Sequence, residues 1–430
     1  MMADKKSLSA DFAEKAWIAE RDNPQLPKAK RKDRKVHAKY AESFSLARCG
    51  ILRALCGNAF CCILGFVQVL STNHLHAQPR FEYRPELLHF NQSASHLVWK
   101  LKQNGQTREV TQSYVPATLS FVLSPRTNVE LATAAGMSQL NQTVNYELNG
   151  LSDVRFRVSH RLSGDRWFFG AGLNLPTGKN KLDAGENAVV NLLTENILGF
   201  PLQRTGVGLD AELSIAHAVN LSEKLGLGIG TNFILPGKFE YLANDSATYQ
   251  PGARFNFNVM LNFIGSPVKW RVNILAQFFA NDKLDQQDFF KQGWQLEPEA
   301  AVDWQINREW NANATVRYVH KAENKLLGLP TNLTPPEHFY INNSAVGSLL
   351  IDRNFGKNTA LGLQLAAQAF GKSNQQLSRA TIGRVGLRVT QKFSEHWMLG
   401  ASGMYAAGMA EGGELSLQGY RVALGLQARM

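Results

Sequence analysis

The sequence predicts an all-β protein, an antiparallel transmembrane β-barrel of about 14 to 16 strands. Three observations predict it. From about Val115 to the C-terminus, segments of eight to twelve residues alternate strictly between apolar and polar. Tight turns and longer polar loops separate these segments by turns. Tryptophans gather beside the tight turns. Because successive side chains of a strand point to opposite sides, each segment offers one face to lipid and one to water. The run 253–263 is the clearest: Ala253, Phe255, Phe257, Val259, Leu261 and Phe263 share one face, and Arg254, Asn256, Asn258 and Asn262 the other.

Composition excludes a helical membrane protein. Hydrophobic residues make up 44% of the chain and mean hydropathy is -0.23, normal for a barrel whose inward half is hydrophilic. No run reaches the ~20 apolar residues of a spanning helix. The one continuous apolar stretch, Leu55 to Leu70, follows Arg48 and Arg53 and precedes Leu75-His76-Ala77. It reads as a secretory signal peptide over 48–77, cut before Gln78. Cys49, Cys56, Cys61 and Cys62 all lie in that stretch, so cleavage leaves neither a disulfide scaffold nor a Cys-ligated metal. Residues 1–47 form a basic, polar extension. Residues 1–77 hold 13 Lys+Arg and 7 Asp+Glu, leaving the remainder with 33 against 28, or +5 of the total +11. Those charges fall on alternating strand positions, so no nucleic-acid partner is expected.

Residues 78–95 read as a short N-terminal segment and 96–430 as the barrel. His96 to Lys102 supplies an opening strand with Leu97, Trp99 and Leu101 on one face, and Asn104-Gly105 can turn it. Pro116 in the next strand suggests a bulge or edge. Short turns follow at Ser124–Thr127, Ser163–Asp165, Leu221–Lys224, Gly265–Pro267, Asn307–Glu309, Phe355–Asn358 and Ser394–His396, each rich in turn formers. Longer connections run from Thr177 to Thr205, Pro236 to Gln250, Asn281 to Gly293 and Ala322 to Ile341; these face the exterior and the short turns the periplasm. The last strand carries Tyr420, Val422, Leu424, Leu426, Ala428 and Met430 on one face. Seven short turns give about fourteen strands, and the first and last bring the total to about sixteen. Trp167, Trp270, Trp304, Trp310 and Trp397, with Phe355 and Phe393, sit beside the short turns as a periplasmic aromatic girdle. The implied location is a bacterial outer membrane, with outer-membrane lipid and the barrel assembly machinery as partners.

Apolar parity turns Arg155, Arg157, Arg254, Arg271, Arg384 and Arg388 toward the lumen, together with Asp210, Glu212, Glu297, Glu299 and Asp303. Such residues either set a transverse field that selects permeants or pair across the wall as braces. Catalytic motifs are scarce. The run Gly172 to Lys179 has one residue too many between its glycines for a phosphate loop, and Asn180 stands where Ser or Thr is needed. Glu297 and Glu299 share a strand face that suits a divalent cation, or an opposing arginine. His160, His217 and His320 are scattered. The expectation is no enzyme, no metal and no cofactor, with an outer-membrane hydrolase the least favoured alternative.

Three segments, Gly150-Leu-Ser-Asp153, Leu175-Pro-Thr-Gly178 and Pro251-Gly-Ala-Arg-Phe-Asn-Phe-Asn258, resemble in order and spacing the outer-membrane proteins grouped as MetA-pathway phenol-degradation transporters. These are relatives of the long-chain fatty-acid (FadL-type) channels. The resemblance spans roughly residues 110–263. It implies passage of small hydrophobic or aromatic compounds. Two features depart from the pattern: Met430 stands where such barrels usually end in Phe, and residues 78–95 are too short for the N-terminal plug of the fatty-acid channels. A closed barrel that binds partners through loop aromatics such as Asp288-Phe289-Phe290 and His338-Phe339-Tyr340 is the alternative.

Overall fold

A computed structural model of the chain describes residues 88–430, apart from 143, 163–165, 241–246, 328–340 and 374–376. The expected extension, the signal peptide, the turn Ser163–Asp165 and the loop aromatics His338, Phe339 and Tyr340 lie outside the described residues.

Strands β1 (Leu88–Gln103), β2 (Gln106–Ser124) and β3 (Thr127–Asn141) open the wall. Strand β4 comes in two pieces, Tyr146–Leu151 and Val154–Arg161, both paired with β3. Then follow β5 (Trp167–Leu175), β6 (Asp210–Asn220), β7 (Leu225–Pro236), β8 (Arg254–Ile264), β9 (Val268–Phe279) and β10 (Gln295–Gln305). The wall continues through β11 (Trp310–Lys321), β12 (Ser344–Phe355), β13 (Thr359–Phe370), β14 (Thr381–Lys392), β15 (Trp397–Ala410) and β16 (Leu415–Arg429). Every neighbour pair is antiparallel, and β16 returns to β1 in a register from His89↔Arg429 to Lys102↔Ser416. Sixteen strands thus form one closed barrel, and closure leaves no free edge in the wall.

The opening segment is a wall strand, which settles the count at the higher expected value. It begins at Leu88, ahead of the boundary placed at His96, because residues 88–95 find register partners on β2 and on β16. Its turn is the expected Asn104-Gly105, both with positive φ (50° and 77°), the geometry that hairpins twisted in the right-handed sense require. Pro116 stays within β2, paired with Ala134.

The outward face is apolar from strand to strand: Leu361, Leu363 and Leu365 on β13, Val385, Leu387 and Val389 on β14, Val422 and Leu424 on β16 are all exposed. At the periplasmic end, Trp167, Trp304, Trp310, Trp397, Phe355 and Phe393 are likewise exposed, and Trp270 stacks on Phe263 with ring centroids 5.6 Å apart. A closed barrel with such a band and girdle is an outer-membrane architecture. At the outer rim five short strands from the long loops make a second sheet. The wall strands leave the barrel at glycines whose amides are held by a neighbour's side chain: Gly252 N donates to Asp282 at 2.6 Å and Gly293 N to Asn324 at 2.9 Å.

Candidate functional site: a lumen narrowed by the third outer loop

The connection from Thr177 to Thr205, expected as an exterior loop, folds into the lumen instead. Its first half is a helix, α1 (Ala184–Leu193). Asp183 caps it: the Asp183 carboxylate accepts from Glu186 N at 2.8 Å, and the Glu186 carboxylate accepts from Asp183 N at 3.0 Å, a reciprocal pairing that satisfies two orphan donors of the first turn. Val189, Val190, Leu192 and Leu193 line one side of the helix, and Ile197, Leu198 and Phe200 follow it; all are buried.

The reason for the inward fold lies on the wall. The apolar face of β1 points into the barrel, so Leu97, Trp99 and Leu101 would face water if nothing covered them. They join Val110, Leu140, Leu148, Ile382, Leu415 and Leu417 in one buried cluster with the inserted segment. Removing this much apolar surface from water is what holds the segment inside. Polar contacts then fix its register. Trp99 Nε1 donates to Leu198 O at 2.8 Å. Gln112 Nε2 donates to Leu202 O at 2.6 Å, and Leu202 N donates to Gln112 Oε1 at 3.1 Å. Asp153, in the break of β4, holds both limbs of the insertion's neck, accepting from Gly178 N at 2.8 Å and from Val207 N at 2.7 Å. Arg204 lies over the Phe239 ring at 4.5 Å and donates to Gly206 O at 2.8 Å.

Between the tip of the insertion and the opposite wall a cavity of about 410 Å³ remains. Its apolar side includes Leu97, Trp99, Leu198, Phe200, Phe370 and Met404; its polar side includes Arg254, Glu297, Arg384 and Arg421.

The eleven charged residues expected on the inward face divide into two groups. Those in the first lie along the wall away from the cavity, and six of them make side-chain contacts. One guanidinium nitrogen of Arg157 contacts both Glu212 oxygens at 2.9 and 2.8 Å. Glu212 also accepts from Asn232 at 2.5 Å, Asn232 from Asn256 at 3.2 Å, and Asn256 from Gln277 at 3.3 Å, so one polar ladder crosses the wall from β4 to β9. Arg388 binds Asp352 at 2.5 Å, Arg271 approaches Glu299 at 3.5 Å, and Asn313 donates to Asp303 at 2.6 Å. Arg155 neighbours Arg157, Glu130 and Glu212. Asp210 opens β6 and is buried. In the second group, Arg254, Glu297 and Arg384 line the cavity. Arg384 donates to Gln368 Oε1 at 2.7 Å, and Arg254 lies within Coulombic reach of Asp210, Glu212 and Asp282.

Sequence parity did not single out Asp352, Gln368, Arg421 or Trp99. The signal for Asp352 was its inward parity on β12, two strands from Arg388. For Trp99 it was the apolar face of an opening strand that also carries lysines. The three histidines lie apart on different strands. His160 contacts Thr127 Oγ1 at 3.0 Å, and His217 and His320 pack on Trp167 and Trp294, with ring centroids 4.3 and 5.0 Å apart. Among the described residues no three His, Cys, Asp or Glu side chains converge into a metal site.

No protein-family model matches the chain, so its likeness to the phenol-degradation group rests on the three segments quoted above. No curated protein matches it in sequence. Among solved structures, the CymD monoaromatic hydrocarbon channel is similar at 13% identity and a TM-score of 0.40, covering 81% of this chain and 89% of that one. The TodX deltaS2S3 mutant monoaromatic hydrocarbon channel has 8% identity, a TM-score of 0.43 and coverages of 81% and 91%. An anion-selective porin from Comamonas acidovorans has 9% identity, a TM-score of 0.38 and coverages of 80% and 99%. Likeness at this level says nothing of what this chain admits.

Proposed function

We propose that this chain is an outer-membrane channel for small hydrophobic or aromatic compounds, with the lumen cavity as the waypoint of the permeant and the inward charges as its polar lining. The observation that carries the reading is the cavity itself. A general pore for salts and sugars needs a wetted bore, whereas this one places Trp99, Phe200, Phe279 and Phe370 around a space of about 410 Å³, within the size range of small-molecule sites. The paired arginines on the rest of the wall brace the barrel and keep that space open. In the producing organism, deletion should slow growth on an aromatic or other hydrophobic carbon source and leave growth on sugars intact. Equal growth on every hydrophobic substrate, or recovery of the protein with the inner membrane or cytosol, would remove the proposal.

The inserted segment also favours a second reading, a closed barrel whose loops bind partners, with Phe289 and Phe290 of the outer sheet as candidate contacts. Loss of a surface-binding phenotype on deleting residues 287–291, with permeation unchanged, would favour that reading.

A further inference from the structure

We propose that the permeant of this cavity is an organic anion, a single-ring aromatic carboxylate, and that Arg384 and Arg421 cradle its carboxylate; the inference rests on the channel reading above and narrows its substrate class. The lumen sorts its arginines. Arg157, Arg271 and Arg388 each meet a carboxylate within salt-bridge distance, which neutralises them in place. Arg384 and Arg421 do not. Among the described residues neither has a carboxylate within salt-bridge distance, and the side-chain partner of Arg384 is the neutral Gln368 at 2.7 Å. The two stand two strands apart, separated by Met404 and Ala406 of β15. Both line the cavity.

Two guanidinium groups lining one cavity without a carboxylate partner repel one another and lose hydration inside a barrel. A bound carboxylate relieves both costs and accepts charge-assisted hydrogen bonds. The surroundings choose its organic part. Leu97 faces Arg421 across the β1–β16 register, Met404 faces it from β15, and Trp99, Leu198 and Phe370 complete the apolar wall of the same cavity. At the insertion's tip Gly199 has φ +65°, and a side chain built there would approach the Arg384 guanidinium at 3.9 Å. The absent side chain leaves the arginine facing open space. The site thus couples a flat apolar wall to a doubly cationic end, the complement of a benzoate-like molecule.

Titration calorimetry on the folded, detergent-solubilised barrel would use benzoate, its neutral analogue benzyl alcohol, and acetate. Benzoate should bind more tightly than either analogue. Arg384→Gln with Arg421→Gln should lower benzoate affinity about tenfold or more while leaving benzyl alcohol unchanged. The single variant Arg421→Gln, checked for heat-modifiable mobility, serves if the double one fails to fold. If benzyl alcohol binds as tightly as benzoate and the substitutions change neither, the anion inference is overturned and the channel reading stands. Acetate binding as tightly as benzoate would overturn the aromatic half, and benzoate binding that survives both substitutions would overturn the assignment to these arginines. Binding of none of the three would overturn this inference together with the channel reading on which it rests.

Discussion

Arg157 and Glu212 stand two strands apart and still make an ion pair at 2.8 Å, because the residue between them in register is Gly172. With no side chain on β5 at that point, the guanidinium reaches across the strand to the carboxylate. The barrel repeats the device on its other side, where Arg388 on β14 reaches Asp352 on β12 over Gly362 of β13. These bridges tie three strands with one contact, and the ladder through Asn232, Asn256 and Gln277 extends the first of them around the wall.

Removing the Glu212 charge takes from the buried Arg157 the carboxylate it meets at 2.8 Å. Glu212→Gln keeps the hydrogen bond from Asn232 and should destabilise the barrel by about 3 kcal/mol. Adding Arg157→Gln should recover part of that loss. Guanidinium chloride unfolding of the four members of this double-mutant cycle measures both effects; a fully additive cycle would contradict the pairing.

Gly172→Val should lower stability in the same direction with neither charge touched. Its Cβ would stand 3.5 Å from the Glu212 Cβ, in the path of the bridge. Stability equal to that of the unsubstituted protein would show that the bridge does not need the gap.

The two faces of β13 should respond oppositely to the same charge. Leu363 faces lipid and Gln364 faces the lumen, so Leu363→Arg should cost about 2–4 kcal/mol and Gln364→Arg close to nothing. Refolding yield into vesicles and unfolding midpoints in the same bilayer give the comparison, and equal costs would contradict the assignment of faces.

Trp99 and Gln112 hold the inserted segment through three hydrogen bonds to Leu198 and Leu202. Trp99→Phe with Gln112→Ala removes all three, at about 1 kcal/mol each, and should loosen the segment without unfolding the wall. Protease added outside intact cells should then cut within 182–203 faster than in the unsubstituted protein. Unchanged protection would mean that apolar burial alone holds the segment.

The wall was readable in the sequence because a period of two is a local signal. Each strand declares its faces through its own residues, and the turns and the aromatic girdle declare its ends. The inserted segment was not readable, because its cause is non-local. Leu97, Trp99 and Leu101 alternate as any lipid-facing set would, and the lysines Lys100 and Lys102 on the other face of β1 do not by themselves say which face points inward. Asp183 and Glu186, spaced for a capping box before Ala188-Val-Val-Asn-Leu-Leu193, were the available hint of a helix in that loop. Among the candidate residues, inward parity put Arg157 and Glu212 on the same side of the wall, but their meeting depends on which strands neighbour which. That Arg384 and Arg421 have no carboxylate partner among the described residues became visible only once the partners of Arg157, Arg271 and Arg388 were known.

The most direct test is single-channel conductance in a planar bilayer, comparing the refolded protein with a variant lacking residues 182–203, both verified as heat-modifiable barrels. A channel whose bore is set by the inserted segment predicts small steps in the first, and steady, severalfold larger, anion-selective steps in the second. Equal conductance in the two, or none in either, would contradict it.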